Sequence, residues 1–182
     1  MDDSLWYSYA SSGKTGDVFP LASELIRAVE KAWSLIIRRF PELRPAFFRL
    51  DDMPASSGYC LVGFAGCQMP NGQRFHDVRI RSDMLGMMPR DFLMTVYHAA
   101  VHCINYDRGA NDTIGRVKHG EAYRETAIEV GLDVFWTDKF GYMTRIIDTC
   151  PLAQSDEYKM GLKDIKRYLP KQMLVTPERV VA

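Results

Sequence analysis

Residues 89–107 read Pro89-Arg90-Asp91-Phe92-Leu93-Met94-Thr95-Val96-Tyr97-His98-Ala99-Ala100-Val101-His102-Cys103-Ile104-Asn105-Tyr106-Asp107. The run has the period of a helix. Pro89 suits a first helical position, where its missing N–H is no loss. Leu93, Val96, Tyr97, Ala100, Val101 and Ile104 recur at helical spacing and form an apolar stripe. Gly109 follows as a C-terminal stop. Met94, His98, His102 and Asn105 fall on a separate edge. Residues four apart lie on one helix face, so His98 and His102 can both reach one metal ion. The pair alone is weak, since histidines at this spacing are more often satisfied core or surface groups. On the edge of a largely buried helix, however, imidazoles must hydrogen-bond or bind a metal.

The five residues His98-Ala99-Ala100-Val101-His102 have the form of the zinc-peptidase motif H-E-x-x-H with its glutamate replaced. In that motif the residue after the first histidine is the general base that takes a proton from metal-activated water. Ala99 can neither accept nor donate one. A third histidine, His119, follows in Lys118-His119-Gly120-Glu121-Ala122-Tyr123. Asp107-Arg108-Gly109-Ala110-Asn111-Asp112-Thr113 between them is turn-rich, so the chain can double back. A second helix is expected from about His119 to Val130, ended by Gly131, with His119 at its start. Catalytic zinc sites use three protein ligands and keep a fourth position open. Glu121, Glu125 and Glu129 are alternative third ligands on that helix, although they also read as solvated helix residues.

Taken in order, several motifs resemble the SprT-like zinc metallopeptidase domain. They are the run Val78-Arg79-Ile80-Arg81-Ser82 to Leu85, the H-x-x-x-H helix, Arg108-Gly109-Ala110-Asn111-Asp112-Thr113, and His119-Gly120-x-x-Tyr123. Gly141-Tyr142-Met143-Thr144 resembles the Gly-aromatic-x-x-Thr pattern that often follows. The resemblance spans about residues 20–147 and is densest over 78–144. It implies a zincin-like (minigluzincin) α+β fold, with a small mixed sheet packed on an N-terminal helix and a zinc-binding two-helix core. It also implies Zn2+ held by His98, His102 and His119, and endopeptidase activity on a protein substrate. Two features depart from the family pattern. Ala99 stands at the position of the catalytic glutamate, and no C-terminal zinc ribbon of paired Cys-x-x-Cys motifs is present.

Ala99 has two readings. It is a deliberate glutamate-to-alanine exchange that silences an enzyme, or the mark of a natural pseudo-protease that binds zinc and a protein or DNA partner without cutting. Three intact histidines favour the first, because only the proton-transfer step has been removed. Either way the chain as written is expected to be inactive. Tyr142 is a candidate for hydrogen-bonding a tetrahedral intermediate, set against plain aromatic packing. Cys103 adjoins His102 but faces another side of the helix, which argues against a Cys–His nucleophile.

The 182 residues carry 23 basic and 23 acidic side chains, so no global charge draws the protein to DNA or membrane. The one local basic run, Lys159, Lys163, Lys166, Arg167 and Lys171, is interrupted by Asp164 and reads as a solvated helix face. No apolar run is long enough to span a membrane. Cys60, Cys67, Cys103 and Cys150 form no Cys-x-x-Cys pair and read as buried thiols. With no secretory signal after Met1-Asp2-Asp3-Ser4, the expected compartment is the reducing cytoplasm. The expected partner is a protein or peptide substrate, with one dedicated partner as likely a target as crosslinked protein.

The rest of the chain reads as scaffold in one domain, residues 20–175, between tails at 1–19 and 176–182. Pro20 to Phe40 is an expected helix, with Leu25, Val29, Ala32, Trp33, Ile36 and Phe40 on one side. Strands are expected at Ala46–Leu50, Tyr59–Cys67 and His76–Arg81, with a turn at Pro70-Asn71-Gly72. His76 shares its strand face with Val78 and Ile80 and reads as structural. Contact with substrate is the alternative for it if the strand is an edge. Leu132–Thr137 is an expected strand, followed by a loop at Lys139-Phe140-Gly141. Asp156–Leu169 is a last helix, stopped by Pro170. Residues 1–16 read as a flexible tail, with docking on the body as the alternative that Trp6, Tyr7 and Tyr9 suggest.

Overall fold

The computed structural model describes residues 18–51, 60–63, 72–115 and 118–169. The expectations for both tails, for Cys67 and for the Pro70-Asn71 turn lie outside these residues. The fold is α+β. Helix α1 (Val18–Arg39) leads into strand β1 (Ala46–Asp51), β2 (Cys60–Gly63) and β3 (His76–Arg81). A 3-10 turn at Ser82–Gly86 enters helix α2 (Pro89–Asp107). Strands β4 (Thr113–Ile114) and β5 (Lys118–His119) precede helix α3 (Glu121–Val130). A hairpin of β6 (Asp133–Thr137) and β7 (Gly141–Arg145) follows, then helices α4 (Pro151–Gln154) and α5 (Asp156–Tyr168).

The first sheet has the order β1-β3-β2, with β1 parallel and β2 antiparallel to β3. It packs on α1 through β1 and on α2 through β2, as the order helix, strands, histidine helix anticipates. β3 alternates as its sequence does: Val78 and Ile80 are buried, and His76 shares their face at 1 % exposure. His76 is structural in this fold. Its Nε2 donates to Asp107 Oδ2 at 2.7 Å, and Arg44 holds the same carboxylate through Nε at 3.0 Å. The end of α2 is thereby fastened to the start of the sheet.

Helix α2 is the centre of the molecule. Phe92, Leu93, Val96, Ala99, Ala100, Val101, Cys103 and Ile104 are all fully buried. A helix covered on most sides leaves only one edge for polar groups, and that edge carries the histidines. Helix α1 gives its apolar face to the core, and Trp33 Nε1 donates to the Arg44 carbonyl at 3.0 Å while its ring meets Phe48 edge-on. Helix α5 lies across α1 and α2, where Gly161 leaves room for close approach to Ala32 and Leu93. Lys159, Lys163, Lys166 and Arg167 are exposed on it, as a solvated face requires. Cys103 and Cys150 are buried thiols. Among the described residues no helix is long and apolar enough to cross a membrane.

The sequence reading stops short of a second sheet, ordered β4-β5-β7-β6. It takes Gly141 as part of a loop, but Gly141 opens a strand that runs antiparallel to β6 in the register Trp136↔Tyr142 and Val134↔Thr144. The glycine marks a backbone position with φ of 71°, which begins the strand rather than ending one. His119 is likewise not at a helix start. It ends the two-residue strand β5, pairs with Gly141, and α3 begins two residues later.

Candidate metal centre

Two elements bring the histidines together. Helix α2 contributes His98 and His102 one turn apart, and β5 contributes His119. One nitrogen from each lies within 4.8 Å of the others. Nε2 of His98 and Nε2 of His102 are 3.3 Å apart. Two imidazole rings of one helix edge and one of a strand thus converge on a common point, as their spacing anticipates.

The outward nitrogens are all engaged. His102 Nδ1 donates to Asp112 Oδ2 at 2.6 Å, and His119 Nδ1 donates to the Tyr142 carbonyl at 2.7 Å. His98 Nδ1 lies 2.6 Å from the Tyr123 hydroxyl and 3.4 Å from Thr144 Oγ1. Such outer partners fix the orientation and tautomer of metal-ligating histidines. Asp112 is itself anchored. Its carbonyl accepts from Gly120 N at 2.8 Å, and its carboxylate meets Asn105 Nδ2 at 3.4 Å. Asn105 Oδ1 in turn accepts from Thr126 Oγ1 of α3 at 2.6 Å. The Tyr123 ring stacks under His119 with centroids 4.0 Å apart. The edge Met94, His98, His102, Asn105 therefore faces α3 and β7 along its whole length.

Electrostatics agree with this geometry. Burial pushes the His98 imidazole well below its ordinary pKa, and the neighbouring His102 and His119 add to the shift. Burial lowers His119 as well, aided by His102. The Asp112 carboxylate and the Tyr142 carbonyl accept from Nδ1 of His102 and His119, which leaves Nε2 of both rings turned toward the common point. The donor set of three imidazoles suits zinc, and also other borderline metals of the first transition row.

The remaining candidates fall elsewhere. Ala99 is fully buried in the hydrophobic core. The Tyr142 carbonyl holds His119, while its phenol hydrogen-bonds Glu121, which raises its pKa. Trp136 packs edge-on against the Tyr142 ring and Arg124 lies over it. Glu121 pairs with Arg124, and Glu129 with Arg108. Glu125 is exposed. No glutamate of α3 joins the histidine cluster. The outer partners Asp112, Asn105, Tyr123 and Thr144 do not stand out as site residues in the sequence. Asp112, Tyr123 and Thr144 stand inside the quoted motifs, and that is the signal that could have found them.

No protein-family model, no curated protein and no solved structure matches the chain.

Proposed function

We propose that this chain is a zinc-binding protein of the SprT-like metallopeptidase type whose peptide-hydrolysing step is disabled at position 99. One observation carries the reading: three Nε2 atoms converge while each Nδ1 is held by a separate partner. A structural histidine cluster would not need every ring turned inward. His98, His102 and His119 hold the ion. Asp112, the Tyr142 carbonyl and Tyr123 orient the rings. Zinc, when bound, supplies Lewis-acid polarisation of a carbonyl and acidification of water. What the chain lacks is a group to carry the proton, because the methyl of Ala99 stands where the resemblance places the glutamate.

A second reading, a natural metal-containing module that binds a protein or DNA partner without cutting, rests on the burial of that same residue. Ala99 is 0 % exposed and packed in the core, so a carboxylate at that position would lie among apolar neighbours. The test is metal analysis of the purified protein, followed by Ala99→Glu assayed on protein substrates with and without zinc. One bound zinc per chain, lost in His119→Ala, supports the metal centre. Zinc-dependent cleavage by Ala99→Glu alone supports a silenced peptidase. A stable, zinc-loaded but inactive Ala99→Glu favours the binding module. Absence of metal binding at micromolar zinc overturns both.

A further inference from the structure

The second sheet ends in an open edge. Its order β4-β5-β7-β6 leaves β6 paired on one side only, and no other strand among the described residues pairs with it. The outward N–H and C=O groups of such a strand are a template for another strand. Edges are ordinarily guarded by shortness, a lysine, a proline or a bulge. The opposite edge, β4, is two residues long. β6 reads Asp133-Val134-Phe135-Trp136-Thr137, with neither lysine nor proline, and its register with β7 runs unbroken. It is also greasy. Phe135 is 37 % exposed, Trp136 52 %, and Phe140 in the following turn 40 %. Successive strand residues point to opposite faces, so Phe135 and Trp136 flank the edge from both sides. Trp136 leans edge-on against Tyr142, and Arg145 lies over Phe135.

Charge decides what fits this edge. Asp133 opens the strand, and Lys139 lies in the turn just beyond its end. Asp133 engages Arg145 through Oδ2 at 2.6 Å, which leaves Oδ1 without a partner among the described residues. Lys139 is exposed and lies over the Phe140 ring, and no carboxylate among the described residues pairs with it. The two ends of one strand thus carry opposite charges. When two copies of β6 run antiparallel about Trp136, Asp133 of each stands opposite Lys139 of the other. One register therefore makes the ion pair twice, by symmetry. Trp136 meets its own counterpart at the axis, which gives the exposed indole an aromatic partner. A two-fold pairing consumes both edges and closes on itself, so it yields a dimer and not a fibre. β5, which carries His119, lies on the far side of β7 from this edge, so the histidine cluster stays outside the strand pair.

We propose that β6 is a self-association edge, through which two copies of this chain pair antiparallel about Trp136 and join their four-stranded sheets into one. Zinc plays no part in this pairing. The experiment is sedimentation equilibrium of the full chain over a concentration series up to about 1 mM, with hydrogen exchange followed at the amides of residues 133–137. One strand pair with its flanking aromatics is a small interface, so a dissociation constant of roughly micromolar order is expected. Added salt should weaken it. Exchange at the β6 amides should slow as the protein is concentrated. Lys139→Asp, in an exposed turn, sets like charges opposite one another and should raise the dissociation constant about tenfold. Mixing it with Asp133→Lys should restore association, because each variant supplies the charge that the other lacks. Trp136→Lys guards the edge and should leave a monomer, and it decides the matter together with Lys139→Asp if Asp133→Lys does not fold. A chain that stays monomeric throughout the series overturns the proposal, even if a peptide strand adds to the edge instead. So does a dimer as tight in both Lys139→Asp and Trp136→Lys as in the parent, or one that forms with no change in exchange at β6. Folded Lys139→Asp and Asp133→Lys that do not associate on mixing overturn the register and the proposal with it.

Discussion

At His102 the outer nitrogen meets a carboxylate ten positions away, so the proposed metal site leans on Asp112. Asp112→Asn keeps the shape of that side chain and removes its charge. The expected outcome is a loss of about 10–100-fold in zinc affinity with the circular dichroism spectrum unchanged. Chelator competition checks it, and an unchanged affinity would show that Asp112 only shapes the turn. Ala99 carries a different expectation. It is fully buried, so Ala99→Glu places a carboxylate among apolar neighbours. The metal-free variant should melt below the parent chain, and zinc should recover most of the difference by offering the carboxylate a nearby positive charge. Calorimetry with and without zinc tests this; a metal-free variant as stable as the parent would mean that the side chain escapes to solvent. His98 and His102 were legible in the sequence because their relation is local, one helical turn. Their partners were not, because Asp112, Tyr123 and Thr144 reach them only after the chain has folded back.

At the scale of elements, the position of the third histidine depends on a strand pair of minimal length. His119 pairs with Gly141, and His119 N donates to the Phe140 carbonyl at 2.8 Å. Gly141 has φ of 71°, and a Cβ built there would overlap the His119 carbonyl oxygen. Gly141→Ala should therefore destabilise the protein by more than about 1 kcal/mol, from the disfavoured backbone alone. It should also displace His119, so that zinc binding falls more than stability does. Denaturant unfolding and metal titration of the one variant separate the two effects. Helices α1, α2 and α5 were readable to within a residue or two, since each is long and periodic. Strands β4 and β5 are not, because two residues carry no period and their existence is decided by pairing, β4 with β5 and β5 with β7. The same cause shifted His119 from the expected helix start to a strand end.

At the scale of the whole molecule, the central helix is held from several sides. Ile165 of α5 is fully buried, so Ile165→Ala should lower stability by about 2–5 kcal/mol in denaturant unfolding. Arg108 ties Glu42 before β1 to Glu129 at the end of α3, and Arg39 bonds the carbonyls of Glu129 and Val130. Acid should loosen this same end of α2, where His76 holds Asp107. Burial lowers the pKa of His76 below 6.5 in the folded protein, outweighing the attraction of Asp107, with Arg44 adding to the lowering and Tyr106 packed edge-on. A lowered pKa means that the folded state prefers the neutral ring. Its contribution is present above pH 6.5 and is lost as pH falls below 6.5 through the folded value. Melting temperature should therefore drop on acidification over that range, and less so in His76→Gln, whose side chain does not titrate. By itself the sequence determined the long helices, the β1–β3 framework and the two histidines of α2, because periodicity and i,i+4 spacing are properties of neighbours along the chain. Only the tertiary structure decided which way the rings point, what holds their outer nitrogens, and that Ala99 is sealed in the core. Those depend on β7 and α3 closing over one edge of α2, and pairings between distant short segments are set by packing rather than by local pattern.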